Sequence, residues 1–240
     1  MWLGIDTSGA VSVAVADDPR DAADCTVRAV VGDDRARHHD EVLLGLVDEA
    51  LERAGIGRGD LTGIVAGRGP GPFTGLRVGL VVARTLSAVL DVPLLGLCSL
   101  DALAHQAAIG AIVPGPVATA EEPEELTVAV ALDARRREVY HARYVASAGS
   151  LRRTDGPAVH APADIADSLR ACDVLVGSGA HLYPELLPAT ADLRHVDAGH
   201  LLRAAALERA AGEDLSSTAP LYLREPDAAK PTARKSALGR

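Results

Sequence analysis

Two aspartates, Asp6 and Asp133, stand where β-hairpins turn, and they are the side chains of this sequence best suited to phosphate or metal chemistry. Asp6 follows the apolar run Trp2-Leu3-Gly4-Ile5 and opens the turn Asp6-Thr7-Ser8-Gly9, after which residues 11–15 read as a returning strand. Asp133 closes a strand over 127–132, and after a turn residues 138–144 return. Acids presented as a pair across a cleft can hold a magnesium–nucleotide complex. Acids at hairpin tips can equally accept hydrogen bonds from nearby amides, and residue types alone leave both readings open. Gly177 and Gly179, at the end of a strand over 173–176, read as a turn.

The run Gly67-Arg68-Gly69-Pro70-Gly71-Pro72-Phe73-Thr74-Gly75-Leu76-Arg77-Val78-Gly79 joins a short apolar strand over 63–66 to a helix over 74–90, with Thr74 as its expected cap and Pro93 beyond its end. It is a strand–loop–helix corner, the usual place to hold phosphate. A Walker loop needs Lys followed by Ser or Thr after its last glycine, and Leu76-Arg77 stand there instead. A dinucleotide fingerprint needs glycines spaced G-x-G-x-x-G, which Gly67, Gly69 and Gly71 do not give. Pro70 and Pro72 also remove two amide donors. Within the helix, Gly75, Gly79, Ala83 and Ser87 recur every fourth residue, so one stripe is small enough for another backbone to approach closely.

Other reactive residues are less organised. His38, His39 and Asp40 are adjacent, point apart and do not chelate together; they read as the solvated start of a helix, with Asp40 or Glu41 at its positive end. Cys25, Cys98 and Cys172 are scattered, without disulfide or zinc spacing, and read as reduced small residues. Arg135, Arg136 and Arg137 read as a solvated turn, since three arginines are few against a net charge of -9. No Ser/His/Asp arrangement has spacing usable for a peptidase.

The elements that must position these residues fit an ordinary folded chain. At 240 residues and 24.8 kDa there is room for one large domain or two small ones, and 48% hydrophobic content excludes wholesale disorder. No apolar run is free of Gly, Pro or charge over a bilayer's thickness, and the amino terminus lacks a basic region, so a cytoplasmic location without membrane contact is expected. A third strand is expected near 26–31 and a helix over 41–54, ended by Gly55. On it Leu43, Val47, Leu51 and Ala54 line one side, and Leu44 and Leu46 widen that stripe beyond what one sheet contact needs. Residues 111–126 read as a junction, 200–211 as a helix and 220–240 as an irregular, mildly basic tail.

Hairpin, further strand and helices thus occur twice. That layout is the α/β fold of the duplicated actin-like, sugar-kinase and Hsp70 ATPase (RNase H-like) type, with two subdomains, here expected over 1–108 and 109–205, and a helix end and tail over 206–240. With Gly4-Ile5-Asp6-Thr7-Ser8, Arg37-x-His39, the corner through Gly79, Ser99-Leu100, Leu132-Asp133-Ala134-Arg135, Glu138-Val139-Tyr140, Gly177-Ser178-Gly179 and Tyr222-Leu223-Arg224, the chain resembles the TsaB (YeaZ) family over nearly its whole length. It departs from that family at Pro72, where Ser is usual, and at Asp40, where Ser or Thr is usual.

The resemblance implies a non-catalytic subunit in the bacterial synthesis of threonylcarbamoyladenosine in tRNA. It implies a catalytic partner, TsaD, of the same fold, an ATPase partner, TsaE, and tRNA reached indirectly; it also implies a homodimer in isolation. The two positions equivalent to the catalytic partner's metal-binding histidines fall on Ser99 and Leu103, and a leucine cannot ligate, while His105 lies on the wrong helical face. No cofactor is then expected on this chain alone; ATP or ADP and a metal would belong to the assembled complex. The expected partner surface is Leu43, Leu44, Val47 and Leu51 with Leu76, Gly79, Leu80 and Ala83; Asp6, Asp133, Gly177 and Gly179 would be a vestigial nucleotide cleft. The alternative is an independent ATPase or small-molecule kinase holding Mg-ATP between Asp6 and Asp133.

Overall fold

Every residue of β1 (Trp2–Asp6) and β2 (Val11–Ala16) is buried, which is why the first hairpin reads as almost continuously apolar. A sheet with a solvated face would alternate with polar residues; here both faces are covered. The computed structural model describes residues 1–18, 25–34, 39–112, 125–147 and 150–224. β3 (Val27–Asp33) extends the hairpin, and α1 (His39–Ala54) leads to β4 (Gly63–Gly67), which lies parallel to β1. α2 (Phe73–Leu90), β5 (Leu94–Leu97) and α3 (Ser99–Ile112) complete the first half.

The second half repeats the plan. β6 (Leu126–Asp133), β7 (Val139–Ser147) and β8 (Ser150–His160) form an antiparallel meander, and α4 (Pro162–Arg170) leads to β9 (Val174–Val176), parallel to β6. The sheets have orders β3-β2-β1-β4-β5 and β8-β7-β6-β9, so the first four strands of each half occupy equivalent places. Registers agree too: Asp6 pairs with Ser12 and Asp133 with Val139, six residues on in both hairpins. The duplication read from the sequence is therefore present strand for strand.

Side-chain alternation separates three cores. Leu3, Ile5, Val13, Val15 and Ile64 point to α1 and α2, while Trp2, Ala14, Ala16 and Val65 point the other way, to α3 and α6 (Ala198–Ala210). In β6, Val128, Val130 and Leu132 share that central core, whereas Ala129 and Ala131 face the outer core beneath α4 and α5 (Ser178–Leu182). The described residues form five layers, helix–sheet–helix–sheet–helix, in whose central layer α6 packs on the first sheet, α3 on the second, and the two helices on each other. The boundaries expected after 108 and 205 therefore cut through α3 and α6 rather than falling between units.

Several local expectations change. α2 begins at Phe73 with Pro72 as its cap residue, so Thr74 lies inside the helix and caps nothing. α2 is long and apolar enough to cross a bilayer by length and composition alone. Its Leu76, Gly79, Leu80 and Ala83 are nevertheless buried against this chain's own layers, while Arg77 and Arg84 are exposed. α4 and β8 carry no expectation above; α4 has only a short apolar set, Ile165, Ala166 and Leu169, and much of β8 is exposed. His38 and the side chain of Asp40, most of 111–126 and the tail beyond 224 lie outside the described residues.

Candidate functional site

Asp6 ends β1 and is 1% exposed, with both carboxylate oxygens engaged. Oδ1 accepts from the Ser8 amide at 2.8 Å and the Ser8 hydroxyl at 2.6 Å, and Oδ2 accepts from the Ser99 hydroxyl at 2.6 Å. Ser99 Oγ in turn accepts from the Gly69 amide at 3.1 Å. Thr7, also buried, donates to the Gly75 carbonyl at 2.8 Å. The first hairpin tip therefore lies beneath the glycine corner and is bonded to it at two points.

That packing explains the glycines. A Cβ on Gly67 would lie 1.8 Å from Asp6 Oδ2, one on Gly71 would lie 2.5 Å from the Ser8 carbonyl oxygen, and one on Gly79 would lie 2.3 Å from Thr7 Oγ1. The space that a phosphate-binding corner would leave for ligand is filled by residues 6–8. The small-residue stripe of α2 likewise serves this chain's own hairpin at Gly79, where an interior glycine otherwise costs about 1 kcal/mol of helix stability.

The second tip repeats the geometry in a more open setting. Asp133 Oδ1 accepts from the Arg135 amide at 2.8 Å, matching Asp6 and Ser8, and its Oδ2 meets Arg135 Nη1 at 3.1 Å. The Asp133 amide donates to Ser178 Oγ at 3.1 Å. Gly177 has φ +114°, and a Cβ there would lie 2.2 Å from the Ala131 carbonyl oxygen; a Cβ on Gly179 would lie 2.7 Å from Val139 Cγ1. The glycine pair lets α5 seat directly on β6 and β7, and its space is taken by protein backbone.

The two positions that the resemblance ties to a metal in the catalytic partner are Ser99 and Leu103. Ser99 is engaged as described, and Leu103 is fully buried in the central core. His105, two residues on, faces His200 across α3 and α6 with their Nδ1 atoms 3.1 Å apart. Burial, then the neighbouring His200, lowers the His105 pKa to about 3, so the pair stays neutral. Among the described residues no group of three His, Cys, Asp or Glu is placed to hold a metal, so this donor set does not fit one.

The expected partner surface is corrected by burial. Leu43, Val47, Leu51, Leu76, Gly79, Leu80 and Ala83 are all buried, and all but Gly79 are members of the core between α1, α2 and the first sheet. Only Leu44, at 50% exposure, faces outward. The large apolar side chains that these two helices leave exposed are instead Leu44, Phe73, Val81 and Val89.

A polar cluster went unrecognised in the sequence. Asp101 of α3, 3% exposed, accepts from Tyr144 OH at 2.8 Å and from Arg153 Nε at 3.0 Å. Burial works against the charge of Arg153, and Asp101 more than offsets it. Burial, then Asp101, raises the Glu208 pKa to about 8. The four residues come from α3, β7, β8 and α6, and no spacing links them.

A family model described as TsaD, tRNA N6-adenosine threonylcarbamoyltransferase, matches residues 28–230. YeaZ from Pseudomonas aeruginosa superposes with a TM-score of 0.73 at 30% identity, covering 92% of this chain and 99% of that one. The chain belongs to the TsaB/YeaZ family. An uncharacterized protein of Mycobacterium tuberculosis is 40% identical over 198 residues, 82% of this chain and 80% of its own length. The tRNA threonylcarbamoyladenosine biosynthesis protein TsaB of Haemophilus influenzae is 34% identical over 109 residues, 45% of this chain and 41% of its own. The layered, duplicated fold and both tip geometries are thus those of a TsaB/YeaZ protein whose N-terminal cleft is filled by its own turn.

Proposed function

We propose that this chain is the non-catalytic subunit of a tRNA threonylcarbamoyl-transferring complex, where it holds and activates a catalytic subunit of the TsaD type. The observation that carries the reading is the engagement of Asp6: a carboxylate closed in by Ser8 and Ser99 under the glycine corner serves the fold. The family supports the pathway, since relatives carry the name tRNA threonylcarbamoyladenosine biosynthesis protein TsaB. The outward apolar residues of α1 and α2, Leu44, Val81 and Val89, supply the docking surface in this reading. Fully covering side chains of this size contributes roughly 1.5–3 kcal/mol each, before the costs of association. In isolation the same face pairs with a second copy, and an ATPase subunit and tRNA join through the complex.

The test is reconstitution. The purified chain is mixed with a TsaD-type subunit from the same cells, and tRNA modification is measured with each alone and together. Activity that needs both, and that survives Asp6→Asn in a folded variant, supports the subunit reading. ATP turnover by this chain alone, lost in Asp6→Asn and Asp133→Asn, would establish the kinase or ATPase alternative instead.

A further inference from the structure

The packing of the central layer leaves a cavity at the edge of the second sheet. There α6 packs on β1 and β2 and against α3, whereas β8 is the outer strand of the other sheet. The last turns of α6 and the first residues of β8 enclose about 740 Å³ between them. That volume lies in the range of small-ligand sites. The first sheet separates the cavity from α1 and α2, which cover the sheet's opposite face, so it is no part of the docking surface.

Its lining combines apolar walls with a few placed charges. Ala204, Leu207, Glu208 and Ala211 recur at the helical spacing i, i+3, i+4 and i+7, so one stripe of α6 presents a single carboxyl among apolar side chains. Across from it Leu151 packs on the central core and Arg153 reaches Asp101, so both point inward from β8. Arg152 lies between them, and strand alternation turns its side chain to the other face. Glu213, exposed, completes the lining; its amide donates to the Glu208 carbonyl at 2.9 Å.

Charge decides which ligand fits. The Arg153 guanidinium is committed, since Nε donates to Asp101 Oδ1 at 3.0 Å and Nη2 donates to Oδ2, while Tyr144 OH donates to Oδ1 at 2.8 Å. Asp101 and Arg153 thus neutralise each other at the base of the cavity. Among the described residues neither Glu208 nor Glu213 forms an ion pair of its own. An anion would meet three carboxyls with the one inward guanidinium already engaged.

We propose that this cavity binds a primary aliphatic ammonium, with the charged head at Glu208 and Glu213 and the methylene chain along Leu151, Ala204 and Leu207. Burial and the Asp101 charge hold the Glu208 carboxyl up at about 8, which is the behaviour of an acid without a cation beside it. The ammonium supplies the charge that a proton otherwise supplies, so binding at neutral pH releases that proton. Because the ligand bridges α6, seated on the first sheet, to β8 of the second, it also fastens the two sheets together. The site goes beyond the subunit reading and does not depend on it.

Isothermal titration calorimetry of the full chain with n-pentylamine tests this, with n-pentanol and pentanoate as the neutral and anionic matches. Pentylamine is expected to bind one to one and to raise the melting temperature; the other two are expected not to bind. Affinity should rise about ten-fold from about pH 7 to about pH 9, since the ionised fraction of Glu208 rises across that range while an alkylammonium, like lysine at about 10.4, keeps its charge. Glu208→Gln is expected to remove the pH dependence and to weaken binding at the higher pH at least about ten-fold. Glu213→Gln, at an exposed position, is expected to weaken it about three-fold and keeps the test open if Glu208→Gln does not fold. Spermidine and Nα-acetyllysine amide, titrated in parallel, distinguish a free polyamine from a lysine side chain, and either one binding with the same Glu208 dependence supports the proposal. Equal binding of pentanol, a pentylamine affinity unchanged in both variants, or no binding at either pH overturns it.

Discussion

Ser99 donates a 2.6 Å hydrogen bond to Asp6 and accepts one of 3.1 Å from the Gly69 amide, so a single hydroxyl ties the first hairpin tip to the glycine corner and to the start of α3. Removing it deprives two buried groups of a partner at once. Ser99→Ala is expected to cost about 2–4 kcal/mol, read as a lower urea midpoint with an unchanged m-value. A loss below about 0.5 kcal/mol would mean that the network does not hold the corner in place.

Gly79 and Thr7 form a coupled pair. Gly79→Ala should gain about 1 kcal/mol from helix propensity, yet its methyl would lie 2.3 Å from Thr7 Oγ1, so a net loss of about 1–3 kcal/mol is expected. Thr7→Ala removes Oγ1 and Cγ2 from the collision and also the bond to Gly75. The double variant should therefore be more stable than the sum of the single losses predicts, by at least about 0.5 kcal/mol in a double-mutant cycle. Simple additivity would place the strain elsewhere.

Burial separates two leucines that are adjacent in sequence. Leu43 is fully buried and Leu44 half-exposed, so Leu43→Glu is expected to prevent folding, whereas Leu44→Glu should change stability by less than about 0.5 kcal/mol. Circular dichroism melting of both variants checks this directly. An insoluble Leu44→Glu would show that its exposed face is needed for the chain's own stability.

Buried titratable groups give the chain a pH dependence of two signs. His105 stays neutral down to about 3 in the folded state, against 6.5 for an ordinary histidine, and burial also lowers His141, His195 and His200. The unfolded chain then binds more protons as pH falls below 6.5, and stability is lost toward acid. Glu208 behaves oppositely: its carboxyl, raised from 4.5 to about 8, binds a proton in the folded state that the unfolded chain releases, so stability is lost as pH rises between those values. Glu208→Gln keeps a donor to Asp101 and removes the second loss. It is expected to be more stable than the parent at about pH 8, by on the order of 1–2 kcal/mol, and equal to it near about pH 4. A variant less stable at both values would show that Glu208 is ionised in the fold.

The hairpins, their acidic tips and the corner were legible because turn residues and apolar runs are local signals. The duplication followed from them, although its proof needed the matching registers of Asp6 with Ser12 and Asp133 with Val139. The facing of the helices was not legible. Leu43, Val47 and Leu51 form an apolar stripe whichever surface covers them, and periodicity cannot say whether that surface is the first sheet or another chain. The Thr74 cap failed because Pro72, with its fixed φ, starts the helix two residues earlier. The Asp101, Tyr144, Arg153 and Glu208 cluster gave no signal, since its members are brought together only by the packing of α3 on the second sheet and of α6 on α3.

In its proposed role the chain acts through the outward face of α1 and α2 and not through Asp6 and Asp133. Threonylcarbamoylation of tRNA by the reconstituted pair tests it most directly, comparing the parent with Leu44→Glu/Val81→Glu and with Asp133→Asn. The surface variant, folded and monodisperse, is expected to lose the partner and the activity, while Asp133→Asn retains both. Full activity in the surface variant with none in a folded Asp133→Asn would contradict it and return the chemistry to the cleft.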